Sequence, residues 1–93
     1  MSAQYKTVSI IGENQYSGNL VIGGRFNVSL SGTWVAIVTV QRSFDGGLTW
    51  LDVATFSANG EYVGREIEDG IFYRLGVKTG DYTSGTITGR LSQ

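Results

Sequence analysis

The sequence contains no cysteine and no histidine among its 93 residues. Without cysteine, neither a disulfide nor a thiolate metal site can supplement the core, so stability has to come from packing and backbone pairing. Without histidine, the usual acid/base group near neutral pH and the commonest zinc ligand are both missing, and with them most nucleophile–base arrangements. Proline is absent as well, so no position loses a ladder N–H to a pyrrolidine ring, while fourteen glycines supply the positive φ angles that tight turns need. Seven Lys and Arg against eight Asp and Glu leave a formal charge of −1, which is no excess for holding a polyanion or an anionic membrane. Apolar runs such as Trp34-Val35-Ala36-Ile37-Val38 fall far short of the ~20 residues of a membrane span. The start, Met1-Ser2-Ala3-Gln4-Tyr5-Lys6, has no basic segment followed by an apolar one, so cytoplasmic synthesis without a secretory leader is expected. These absences point away from an enzyme, a cofactor or metal carrier, a nucleic-acid binder and a membrane protein, and towards a domain that binds or builds.

What is present is alternation. A chain of this size suits one domain over residues 1–93, and its apolar residues recur with period two, the period of strands. Tyr5 to Ile11 alternates and is broken by Gly12-Glu13-Asn14-Gln15; Asn19 to Ile22 is a short apolar piece closed by Gly23-Gly24. Arg25 to Ser31 resumes the pattern with Phe26, Val28 and Leu30 on one face, and Ser31-Gly32 is expected to turn the chain. Trp34 to Ser43 reads as the longest strand, its first half apolar on both faces like a central strand. Asp45-Gly46-Gly47 and Ala58-Asn59-Gly60 carry hairpin turn chemistry, the latter with the Asn-Gly pair. Leu48 to Phe56 should return antiparallel, Glu61 to Ile67 should form a polar edge strand, and Ile71 to Val77 and a segment around Ile87 and Leu91 should complete the set. The expected fold is all-β, a single antiparallel β-sandwich of immunoglobulin-like type with about seven short strands. Tyr73, opening a late strand, is placed to bond its hydroxyl back across a corner as in such sandwiches. Residues 1–16 read either as the first strand or as an N-terminal attachment arm.

The most specific string is Ser43-Phe44-Asp45-Gly46-Gly47-Leu48-Thr49-Trp50, which fits the Asp-box pattern S-x-D-x-G-x-T-W at every fixed position. In such a turn Ser43, Asp45, Gly47, Thr49 and Trp50 have separable tasks. The aspartate accepts bonds from backbone N–H groups and from the two hydroxyls, the glycine takes the strained dihedral, and the tryptophan anchors the returning strand. The pattern resembles the peripheral turns of sialidase-type propeller blades, which implies an architectural role. Trp34 and Trp50, on alternating segments, read first as core residues. Tyr16 and Tyr82 lie in turn-rich segments and are the better contact candidates, together with Tyr5 and Lys6 near the N-terminus. Glu66, Glu68 and Asp69, with Asp45, Asp52 and Asp81, are all the chain offers a calcium ion or a carboxylate pair, and no ligand spacing is present. They read as a solvated strand end with turn residues. Five arginines against two lysines suit a protein interface, or cross-strand ion pairs equally well.

Taken together, Val38-Thr39-Val40-Gln41-Arg42-Ser43-Phe44-Asp45-Gly46-Gly47-Leu48-Thr49-Trp50, then Gly70-Ile71-Phe72-Tyr73-Arg74-Leu75, then Gly85-Thr86-Ile87-Thr88-Gly89-Arg90-Leu91-Ser92 resemble the small β-sandwich virion proteins of tailed bacteriophages. The likeness covers the chain from about Gly24 onward. It implies a non-enzymatic structural protein of the virion, first of all a capsid decoration or cement protein bound to the major capsid protein or another virion component. Self-association through edge strands is open. The alternative is a carbohydrate-binding module of a tail fibre or receptor-binding assembly, with exposed aromatic rings stacked on a glycan; a small hydrolase using the carboxylates is the third reading.

Overall fold

The computed structural model describes residues 4–93, and every regular element in it is a β-strand. Strands β1 (Tyr5–Ile10), β2 (Gln15–Tyr16), β3 (Leu20–Ala36), β4 (Val38–Ser43), β5 (Leu51–Phe56), β6 (Gly60–Val77) and β7 (Tyr82–Ser92) join one antiparallel sheet. Its order is β1-β7-β3-β6-β4-β5, with β2 laid against β6. Two strands are far longer than the sequence pattern suggests, at 17 and 18 residues for β3 and β6. Straight, 18 residues at roughly 3.3 Å each would span about 60 Å, yet the molecule measures 35 × 29 × 17 Å. Both strands therefore bend, and the sheet folds over on itself into a sandwich-like body. The first layer holds β1, β7, the part of β3 from Gly24 to Ala36 and the part of β6 from Gly60 to Glu66; the second holds β2, β4, β5, Leu20 to Ile22 of β3 and Ile71 to Val77 of β6.

The bend sits where the register breaks. Ile22 pairs with Ile71 and Gly24 with Glu66, so Ile67 to Gly70 bulge out opposite Gly23, and a bulge of this kind turns a strand sharply. Gly24 and Gly70 take φ of +83° and +78° there, where an L side chain would be strained. Glu66 pins the inside of the corner. Its carboxylate accepts hydrogen bonds from the Tyr73 hydroxyl at 2.8 Å, from Arg42 at 2.9 Å and from the Glu68 amide at 3.1 Å. Burial pushes the Glu66 carboxyl up, and those three donors together outweigh it and hold it below the usual value. The Glu66 side chain has no solvent exposure, which corrects its reading as part of a solvated strand end. The expected tyrosine bond across the corner exists, with a carboxylate as acceptor.

Between the layers lie Ile10, Ile22, Phe26, Val28, Leu30, Val38, Val40, Tyr73, Leu75, Val77, Ile87 and Leu91, all buried. The aromatic centre is Phe26 against Tyr73, with ring centroids 4.9 Å apart. Neither tryptophan belongs to this buried cluster. Trp34 packs on its margin near the end of β3 and donates its indole N–H to Asn59 Oδ1, and Trp50 lies outside it, on the opposite face of the second layer against Arg74.

Three expectations about boundaries change. Ser31-Gly32 does not turn the chain: Gly32 pairs with Ile87 inside β3, its φ of +105° fitting a close approach in which a Cβ would meet the Thr86 carbonyl at 2.4 Å. The long strand over Trp34 to Ser43 is divided at Ile37, whose amide bonds Asp81 O instead of the ladder. Val35 and Ile37 are exposed, so two-sided coverage falls on Val38 to Gln41, where β4 runs between β5 and β6. Of residues 1–16, Tyr5 to Ile10 form the first strand, in register with Ser92 to Ile87; Met1 to Ala3 lie outside the described residues.

Candidate functional site

The second layer turns a polar and aromatic face away from the core. β6 carries Leu75 and Tyr73 inward, so Arg74 points outward, and its cross-strand partner Gln41 on β4 stands opposite Asp52 on β5. The Arg74 Nε donates to Gln41 Oε1 at 2.9 Å, Gln41 Nε2 donates to Asp52 Oδ1 at 2.9 Å, and Lys78 Nζ bonds Asp52 Oδ2 at 2.7 Å. A single chain of bonds thus crosses three strands. The Arg74 guanidinium lies 3.8 Å from the Tyr16 ring centroid and 4.3 Å from that of Trp50, held between two π faces. Desolvation under the rings lowers the Arg74 pKa, while Lys78 first and Gln41 second lower that of Asp52. The terminal nitrogens of Arg74 make no hydrogen bond among the described residues, which leaves planar donors for an incoming acceptor.

Both rings are placed by local devices. β2 brings Tyr16 opposite Gly76, where an added Cβ would lie 2.3 Å from the Tyr16 ring and 2.3 Å from the Gln15 carbonyl. Only hydrogen fits beneath that tyrosine. Trp50 is placed by the Asp-box hairpin between β4 and β5. Ser43 Oγ donates to Asp45 Oδ1 at 2.6 Å and accepts from the Gly47 amide at 2.8 Å; Asp45 accepts from both the Thr49 amide and the Thr49 hydroxyl. With its charge held by Ser43 first and then by Thr49, the Asp45 carboxyl stays well below the usual carboxylate range. Gly47, at φ +99°, lies against the indole ring. The motif therefore closes its own loop and delivers Trp50 onto the Arg74 face.

Along the same face an apolar margin follows from the register, Val21 opposite Phe72 and Phe72 opposite Ser43. Among the residues singled out from sequence, Tyr16 and Trp50 meet here. Tyr5 and Lys6 are elsewhere on β1: the Tyr5 ring packs under Arg90, and the Lys6 stem runs beside Gly18. Tyr82 sits at the start of β7, half-buried against the core, with its hydroxyl donated to Gly85 O at 2.8 Å. Arg74, Gln41, Asp52 and Lys78 were not singled out from the sequence as one set. They lie on three strands, and the only cue to them is the alternation that turns Gln41 and Arg74 away from their apolar neighbours.

No group of three or more acidic side chains able to hold a metal ion occurs among the described residues. Comparison with known proteins finds no matching family model, no matching curated protein and no matching solved structure.

Proposed function

We propose that this chain is a non-enzymatic structural protein of a tailed-bacteriophage virion, a decoration protein that docks on the coat-protein lattice and braces it. The observation that carries the reading is the Tyr16–Arg74–Trp50 stack with its apolar margin. Tyrosine, tryptophan and arginine are the residue types that concentrate binding energy at protein interfaces, and here they are fixed before any partner arrives, so little side-chain entropy remains to be lost. A standard contact of ~800 Å² per partner would cover about a seventh of the 5336 Å² surface, which is one face of the sandwich. Many copies on a lattice would then give full occupancy at modest single-site affinity. The placement on a phage particle rests on the sequence resemblance. The titratable groups held in defined pairs serve the fold: Glu66 the corner, Asp45 the hairpin, Asp52 the face. The test is the thermal disassembly of phage heads lacking this protein, measured with and without it added. Bracing predicts a higher disassembly temperature with wild type and a smaller gain with Arg74→Ala; an unchanged temperature contradicts it.

One observation favours a second reading. Two aromatic rings beside free guanidinium donors also suit a sugar, whose apolar ring face packs on an aromatic while its hydroxyls take hydrogen bonds. A glycan array separates the two: binding that falls with Tyr16→Ala supports a carbohydrate module of a fibre or receptor-binding part, and silence on all sugars removes it.

A further inference from the structure

On the side of the sandwich away from β1, the first layer ends at Gly60 to Glu66 of β6. This half of the strand pairs with β3 on one side, while β4 takes only Phe72 to Gly76, so the other side is a free edge among the described residues. It holds no proline or lysine and no strand pairs with it among the described residues; the protection it does carry is the charge of Glu61 and Arg65. Its outward side chains are Glu61, Val63 and Arg65, with Ile67 just beyond; Val63 and Ile67 are 83% and 86% exposed. Beneath it runs an apolar groove of about 110 Å³ lined by Phe26, Val28, Val53, Phe56 and Tyr62.

Charge decides what fits this edge. Arg65 stands directly opposite Arg25 on β3, a like-charge pair that is unfavourable across a ladder, and neither has an ion-pair partner among the described residues. The free side of Arg65 therefore calls for a carboxylate. The strand itself carries one two positions before Val63, as Arg65 stands two after it. When two such strands pair antiparallel about a two-fold axis at Val63, the outward faces stay aligned and Glu61 of each copy falls opposite Arg65 of the other. Both ion pairs form at once, Val63 meets Val63, and the two apolar grooves lie under one continuous sheet. Moving the two-fold axis by one residue, to Tyr62 or Gly64, slides the pairing by two residues and breaks both ion pairs, so the edge specifies a single register for its own copy.

We propose that Gly60 to Glu66 is a homodimer interface, in which two chains join first layers through antiparallel β6–β6 pairing centred on Val63. This goes beyond docking on a lattice and uses a different surface from the Arg74 face.

The chain has no cysteine, which makes the test direct. Residues opposite each other in an antiparallel pair have Cα atoms about 4.5–5.5 Å apart, within the reach of a disulfide or a short bis-maleimide. Val63→Cys should be captured as a covalent dimer, whereas Leu48→Cys, 84% exposed in the hairpin between β4 and β5 and outside the edge, should stay monomeric. In native-mass measurements over a concentration series, Glu61→Arg and Arg65→Glu should each weaken wild-type dimerisation roughly tenfold, and Glu61→Arg with Arg65→Glu together should restore it. A wild type that stays monomeric at millimolar concentration, equal crosslinking of the two cysteine variants, or a double variant no better than the singles would overturn the proposal.

Discussion

The Tyr73 hydroxyl donates a 2.8 Å hydrogen bond to Glu66, seven residues earlier on the same strand. A strand that bonds its own side chains across a seven-residue interval is folded over there, and this contact holds the two layers of the sandwich at their common corner. Arg42, arriving from β4, shares the same carboxylate oxygen, so the corner ties three segments to one buried charge.

Removing either partner should cost stability without changing the fold. Glu66→Gln keeps an acceptor for Tyr73 and loses the charge facing Arg42. Tyr73→Phe leaves the carboxylate one donor short. Bonds to a charged group in this setting contribute roughly 1.5–3 kcal/mol, and denaturant unfolding followed by tryptophan fluorescence should show a loss in that range for each variant.

The same group sets the acid limit. The Glu66 carboxyl is held below its ordinary value of 4.5 in the fold, so the unfolded chain binds the proton more readily. Its contribution is present above pH 4.5 and is lost as pH falls through the lower folded value. At the other end Tyr73 is pushed up to about 12, by burial first and then by Glu66; its contribution is complete below the ordinary 10 and is lost as pH rises through 12. A pH series of unfolding midpoints should therefore be flatter in acid for Glu66→Gln and flatter above pH 10 for Tyr73→Phe.

The Asp-box loop should open when its charge is removed. Asp45→Asn keeps one acceptor oxygen and replaces the other with a donor, which faces the Thr49 hydroxyl in one amide orientation and the Ser43 hydroxyl with the Thr49 amide in the other. Exchange of the Thr49 amide should quicken roughly tenfold or more as local opening becomes easier, with a red shift in Trp50 emission. An unchanged exchange rate would mean that the glycines alone hold the loop.

Gly76 offers a way to dismantle the face without touching its chemistry. Gly76→Ala pushes on the Tyr16 ring and the Gln15 carbonyl, so β2 must shift, at a cost of roughly 1–3 kcal/mol for overpacking. Tyr16 ring resonances should lose their cation-induced shift while Gln41 and Asp52 stay paired, and coat or glycan binding should fall as it does for Arg74→Ala.

Much of the fold was legible because alternation encodes which side of a strand is inside. Phe26, Val28 and Leu30 fall on one face by period two alone, and all three are buried. The 43–50 hairpin was legible for a different reason, since turn chemistry is local and Asp45 contacts only its near neighbours in sequence. Strand ends were harder. Gly32 has the dihedral of a turn residue and sits inside β3, because its conformation serves a close approach by Thr86 rather than a reversal. Glu66 reads as a surface acid until Arg42 and Tyr73 are brought to it from 24 and 7 residues away. The site is legible only in part for the same reason. Tyr16 and Trp50 are conspicuous in the sequence, but Arg74 joins them only through the β2–β6–β4 register, which depends on packing that alternation does not specify.

Co-sedimentation with undecorated phage heads decides whether the proposed decoration role holds. A decoration protein should pellet with the heads and saturate at a fixed ratio to coat subunits, and Arg74→Ala should raise the concentration needed for half saturation. Wild-type protein that remains in the supernatant at every salt concentration would contradict the account.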